Sequence, residues 1–194
     1  MHEMLRVALI LGALILLPIA LYHRIKSQAT GERLDRGQEG LFILLTLRPV
    51  GLVFVLALLM WMIDPSRLAW SYVELPNRLR VMGLCIGAVA GVLWIWTFRT
   101  LGPNLTDTVV TRKEHTLVTS GPYRWVRHPF YDSLALFVAA VFLITANWFL
   151  FATGVLVLAL ILLRTRKEEQ NLAARFGDEY RAYRERTGRF LPKG

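Results

Sequence analysis

The chain has 194 residues, 55% of them hydrophobic, and 23 Lys and Arg against 14 Asp and Glu give a formal net charge of +9. That length holds one domain, and so apolar a composition excludes an ordinary soluble globular protein. A positive balance of this size in a soluble chain would suggest nucleic acid. Here the bases lie between and after long apolar runs, with no finger, RNP or helix-turn-helix pattern, so anionic lipid head groups are the partner that the charge favours. The lone cysteine, Cys85, rules out a disulfide within the chain and argues against a Cys-based metal site. Lying in the middle of an apolar run, it is expected to be a buried thiol.

Leu5 to Tyr22 is nearly uninterrupted apolar sequence, long enough to cross a hydrocarbon core of ~30 Å. Its positive charges, Arg24 and Lys26, follow the run rather than precede it, which favours an anchor over a cleaved signal peptide. After a polar connection (Gln28 to Gly40), Leu41 to Ile63 predicts a second span, with Arg48 snorkelling or paired to another helix and Pro49 kinking it. Turn chemistry at Asp64-Pro65 and Pro76-Asn77 brackets a second polar loop. Leu79 to Phe98 is the third span. Gly83, Gly87, Ala88, Ala90 and Gly91 would let neighbouring helices approach closely, and Trp94, Trp96 and Phe98 would mark its interfacial end.

Arg99 to Arg127 is a long connection, followed by 34 apolar residues from Phe130 to Leu163 with Asn147-Trp148 near the middle. One helix of that length is too long for a bilayer. A turn at Thr145–Asn147 instead predicts a tight antiparallel hairpin whose arms, at ~15–17 residues, sit near the lower limit for a span. The expected fold is therefore all-α and polytopic, with about five transmembrane helices. Arg164 to Phe176 reads as a helix leaving the membrane and stopped by Gly177. Asp178 can cap a further short helix, closing at Gly188, with Arg189 to Pro192 then extended. The tail's bases and aromatics suit a helix lying on the membrane surface or over a pocket. Eighteen bases fall on the side of the first loop, the third loop and the tail, against four on the other. By the positive-inside rule the amino terminus is expected outside and the tail in the cytoplasm.

Three polar groups gather near that cytoplasmic boundary: His115-Thr116-Leu117-Val118 with Gly121-Pro122-Tyr123; Arg127-His128-Pro129-Phe130-Tyr131, where Pro129 suits a first helical turn; and Arg164 with Glu168 and Glu169. An antiparallel hairpin brings its two ends together, so His128 should lie near Arg164, and Arg164 and Glu168, four apart, share a helix face. Taken singly these residues also fit blander roles, Arg127-His128-Pro129 as an interfacial anchor and the glutamates as solvated partners of Arg164 and Arg166. His115 and His128 lack the spacing and the third ligand of a metal site, and phosphate loops and Ser-His-Asp signatures are absent.

In combination, GPYRWVRHPFY, an apolar hairpin and EEQNLAARFGDEYRAY resemble the isoprenylcysteine carboxyl methyltransferase family and its phospholipid N-methyltransferase relatives, over roughly Leu101 to Pro192. The resemblance implies an integral membrane enzyme that uses S-adenosylmethionine, with residues 1–98 as three membrane helices and residues 99–194 as the catalytic half. It implies that His115, Thr116, Leu117 and Val118 line the nucleoside end of the cofactor and that Tyr123 packs against it. His128, Pro129, Phe130 and Tyr131 would surround its amino-acid end and sulfonium, and Glu168 would bind it from the tail side. Arg164 would face the acceptor; an amine acceptor would need deprotonation, for which the stretch offers His128 or a Glu. A cationic sulfur suits aromatic faces and a carboxylate. Ser133 stands where the family often has glycine, beside a less expected Asp132. The implied partners are membrane lipid and a lipophilic or lipidated acceptor, with no metal and no nucleic acid. A sterol reductase using NADPH shares an RHP-type turn and a related tail, but needs about twice as many spans. A non-catalytic membrane protein keeping the fold is the other alternative.

Overall fold

The computed structural model describes residues 2–28, 41–102 and 116–193. Five helices account for most of them: α1 (His2–Gln28), α2 (Leu41–Ile63), α3 (Asn77–Leu101), α4 (Pro129–Thr145) and α5 (Trp148–Arg186). Among the described residues no β-strand is longer than an isolated bridge. The expected all-α membrane architecture holds. Four helices are long and apolar enough to cross a bilayer, over His2–His23, Leu45–Ile63, Asn77–Leu101 and within α5, while α4 is a shorter apolar helix of 17 residues. At 1.5 Å per residue α4 is about 25 Å long, a little under the hydrocarbon thickness. Large apolar side chains such as Leu14, Leu52, Val92 and Leu163 point outward, as lipid-facing surfaces require.

Packing follows the small residues. α4 lies along α3, and a Cβ on Gly83 would come within 2.8 Å of the Leu143 Cβ. A Cβ on Gly154 of α5 would come within 2.7 Å of Val138, so glycine sets the separation of the hairpin arms as well. α2 packs on α5 and α1 on α3. Pro18 and Pro49 both sit inside helices that continue through them. Arg48 is exposed on α2. Cys85 departs from expectation: it is exposed on α3 rather than buried. A thiol on the outer face of an apolar helix is tolerated where the surroundings are lipid.

The hairpin turns where its sequence indicates. Ala146 takes a left-handed conformation, and the Asn147 side chain caps α5 by accepting from Leu150 N at 3.0 Å. Asn147 Nδ2 also donates to Leu68 O and Ser71 Oγ, fastening the turn to the short helical segment Pro65–Ser71. Two arginines that the charge count assigns to this face cap helix ends there. Arg80 is fully buried and donates through Nε and Nη2 to Ile144 O in the last turn of α4, and Arg6 donates to Met62 O and Ile63 O at the end of α2. Carbonyls at helix ends lack intrahelical partners, and next to an apolar core a guanidinium satisfies them.

At the other face, α5 runs on past the membrane-length apolar segment. It breaks its helical geometry at Gly177, with φ +53, as the sequence suggests, and then resumes to Arg186. Asp178 pairs with Arg181. The tail beyond Thr187 is not extended. It bends so tightly that a Cβ on Gly188 would collide with Leu191 O.

Candidate active site at the hairpin's open end

The segment 121–128 is held against α3 and the tail before it enters α4. Gly121 has φ +57, and an added Cβ would stand 2.5 Å from Thr100 Oγ1, so no other residue fits this turn. Trp125 meets Trp96 edge to face at 5.6 Å, with the Arg124 guanidinium over its ring. The segment then pairs with the tail in a short parallel bridge: Arg127 N donates to Gly188 O (2.9 Å), His128 N to Arg189 O (3.2 Å), and Gly188 N to Trp125 O (3.3 Å). His128 is the residue before the helix. Its carbonyl accepts from Tyr131 N and Asp132 N, and Pro129 is buried at the first helical position, where no N–H is needed.

Around this start of α4 lie most of the residues singled out from the sequence. Tyr131 donates to Glu168 Oε2 at 2.8 Å, and His128 Nδ1 is 4.0 Å from the same oxygen. The His128 ring stacks on Tyr131, with planes 10° apart and centroids 5.3 Å apart, and also meets Phe190, tilted, at 5.8 Å. Phe130 stacks on Phe98 and approaches Trp94, so these rings of α3 wall the site as well as mark an interface. Arg164 and Tyr123 lie close enough to act electrostatically on the Tyr131 hydroxyl. Burial pushes the Tyr123 phenol well above its ordinary pKa, and the nearby Glu168 charge adds to this. Tyr183 donates to Tyr123 O at 2.7 Å, tying α5 to the turn. Ser133 is buried and donates to Phe130 O.

Thr116, Leu117 and Val118 form the irregular approach to the turn, Thr116 exposed and the other two half-buried. His115 lies outside the described residues. No set of three or more His, Cys, Asp or Glu side chains converges as metal ligands would among the described residues.

The sequence reading left Glu169 out of the site. Its side chain is 7% exposed. Oε1 accepts from Arg127 Nε (2.9 Å), Arg189 Nε (3.1 Å) and His128 Nε2 (3.3 Å), and Oε2 accepts from Arg189 Nη2. Arg127 continues through Nη1 to Thr187 O and Arg184 O, the carbonyls closing α5. Three cationic or ring N–H side chains from two sequence-distant segments therefore share one carboxylate. The available signal was weak: two adjacent glutamates on a helix point about 100° apart, so Glu168 and Glu169 face different surroundings.

Residues 81–174 match the model of the isoprenylcysteine carboxyl methyltransferase family. The match takes in just under half of the chain. With that match and several membrane-length apolar helices, the chain is an integral membrane protein. It is 31% identical over 140 residues to human protein-S-isoprenylcysteine O-methyltransferase, covering 63% of this chain and 44% of the relative. It is 40% identical over 70 residues to methanethiol S-methyltransferase of Mycobacterium tuberculosis, covering 36% of this chain and 28% of the relative. The chain thus spans less than half the length of these curated relatives. The solved structure of a eukaryotic intramembrane Ras methyltransferase, an isoprenylcysteine carboxyl methyltransferase, superposes with a TM-score of 0.52 at 22% identity, over 89% of this chain and 63% of that one. At that identity the likeness speaks to the fold. Arg127, His128, Tyr131, Arg164, Glu168 and Glu169 all fall inside the family match; Gly188 and Arg189 lie beyond it.

Proposed function

We propose that this chain transfers a methyl group from S-adenosylmethionine to a lipophilic acceptor at the cytoplasmic face of a membrane. The observation that carries the reading is the meeting of Tyr131, His128 and Glu168 at the open end of the hairpin, with Arg164 beside them. Their chemistry fits the donor: a carboxylate 30% exposed and flat aromatic faces are what a sulfonium and an ammonium require. Bound there, S-adenosylmethionine would supply an electrophilic methyl group.

The rest is the work of the chain's own residues. Glu168 holds the positive end of the donor, with Tyr131 fixing its rotamer. Phe130, Tyr131 and His128 exclude water around the reacting centre, where positioning supplies most of the rate. Pro129 sets the entry angle of α4. Tyr123 backs the donor from the turn, and His115, Thr116, Leu117 and Val118 line its nucleoside end. Arg164, four residues before Glu168 on the same helix face, orients the acceptor. A carboxylate acceptor is already ionised at neutral pH and needs only that orientation. An amine would need a proton acceptor in addition. Residues 99–194 form the catalytic half and residues 1–98 the supporting helices, with the tail in the cytoplasm. The names of the relatives, one acting on an isoprenylcysteine and one on methanethiol, support methyl transfer and leave the acceptor's atom open among O, N and S.

Calorimetry on the purified chain with S-adenosylhomocysteine and NADPH tests the reading: binding of the first alone is expected, and binding of NADPH or of neither would overturn it. Incubation with labelled S-adenosylmethionine and a lipid extract then identifies the acceptor. Arg164→Ala should lower acceptor methylation far more than cofactor binding.

A further inference from the structure

Glu169 is closed off from a ligand: its side chain is 7% exposed, and four donor contacts from Arg127, Arg189 and His128 converge on its two oxygens. Its effect on the site must therefore pass through the groups it holds. Two of these are guanidiniums that clasp the tail to the start of α4. The third is the His128 ring, buried at 5% exposure. A carboxylate can only accept, so the ring nitrogen facing it carries a hydrogen, and in a neutral imidazole the other nitrogen is then a bare acceptor. That other nitrogen, Nδ1, faces Glu168 Oε2 at 4.0 Å. Oε2 already accepts from Tyr131, leaving it a further lone pair. Two bare acceptors cannot bond one another, and at 4.0 Å apart they can converge on an N–H donor lying between them.

We infer that Glu169 is a positioning residue: it fixes His128 with its proton on Nε2, so that Nδ1 and the Glu168 carboxylate form a two-acceptor seat for a primary ammonium group. The inference rests on the methyl-donor reading, in which the α-ammonium of the donor's amino-acid end is the group that fills the seat. A protonated Nδ1 would face that ammonium donor to donor and lose the seat, so the direction in which Glu169 holds the ring decides whether the ligand's ammonium is recognised. The nucleoside and thioether make no use of this pair.

Two measurements on the full chain test it. Selective ¹⁵N-histidine labelling of the wild type reads the tautomer directly: His128 with hydrogen on Nε2 alone is expected, and hydrogen on Nδ1, or on both nitrogens, overturns the inference without any variant having to fold. Calorimetry then compares S-adenosylhomocysteine with an analogue whose α-amino group is replaced by hydrogen. In the wild type the parent ligand should bind about tenfold or more tighter, and in Glu169→Gln that ratio should fall severalfold, Glu168 alone remaining to hold the ammonium. Taking the ratio removes any loosening of the tail, which would weaken both ligands alike. A ratio near one in the wild type, or a ratio that Glu169→Gln leaves intact, overturns the inference. Failure of the wild type to bind S-adenosylhomocysteine at all overturns the methyl-donor reading instead, and the labelling result then still decides the tautomer.

Discussion

Replacing Glu168 with glutamine removes one negative charge and almost no volume. The new amide keeps an oxygen to accept from Tyr131, whose hydroxyl now sits 2.8 Å from the carboxylate, so the local geometry should survive. What changes is the attraction for a cation. At a separation of ~5 Å and an effective dielectric of ~20, unit charges attract by about 3 kcal/mol. The Glu168 side chain is 30% exposed, and solvent screening at such a boundary roughly halves that figure. About 1.4 kcal/mol corresponds to a factor of ~10 in affinity. S-adenosylmethionine carries a sulfonium and S-adenosylhomocysteine a neutral thioether, and both carry the same ammonium. Glu168→Gln is therefore expected to weaken the first by about tenfold more than the second, read by competition of each ligand against a fluorescent adenosine analogue on protein in lipid nanodiscs. Equal losses for the two ligands, or none, would refute an attraction of Glu168 for the sulfonium beyond its hold on the ammonium.

Gly188→Ala should leave helix content by circular dichroism unchanged while S-adenosylhomocysteine affinity falls tenfold or more, because a Cβ there collides with Leu191 O and the bent tail cannot close; such overpacking costs about 1–3 kcal/mol. Arg80→Met strips the Ile144 carbonyl of both its guanidinium donors, which costs about 1–3 kcal/mol. It should lower the melting temperature in detergent without changing ligand affinity, since the residue lies at the opposite end of α4. Tyr123→Phe should flatten the loss of stability at high pH. The folded phenol's pKa is raised by burial and by Glu168, so its contribution is full below about pH 10 and is lost as pH rises towards the folded value, the unfolded chain releasing its proton first. Melting temperatures of the two proteins should therefore agree near neutrality and diverge above about pH 10; parallel curves would contradict this.

The helices and the hairpin were legible because membrane spans announce themselves by composition, and because Asn147 and Gly177 sit where a cap and a break are needed. Antiparallel geometry brought His128 near Arg164 and the Glu168 on its helix face; Tyr131's part in the site came from the family resemblance. Three features were not legible, each for a physical reason. Cys85 was read by the rule for water-soluble cores, which fails where lipid covers the surface. Arg80 was counted as a loop charge, since sequence does not reveal that a guanidinium turns inward to a helix end 64 residues away. Glu169 and its clasp depend on the pairing of residues 125–128 with 188–189, a contact across some sixty positions that leaves no periodic trace. Glu168 and Glu169 look alike in sequence. Their surroundings make one an open carboxylate and the other a closed one.

The uneven lengths of α4 and α5 have a consequence for what can meet at their shared end. At 1.5 Å per residue, Glu168 stands about 30 Å along α5 from Trp148, the depth of a hydrocarbon layer, and α5 climbs on from there while α4 has already begun. On the methyl-transfer reading, the doorway is thus level with the waterline. A solute can dip down into it and an oil-anchored molecule can float up to it, and neither has to leave its own phase for the two to touch.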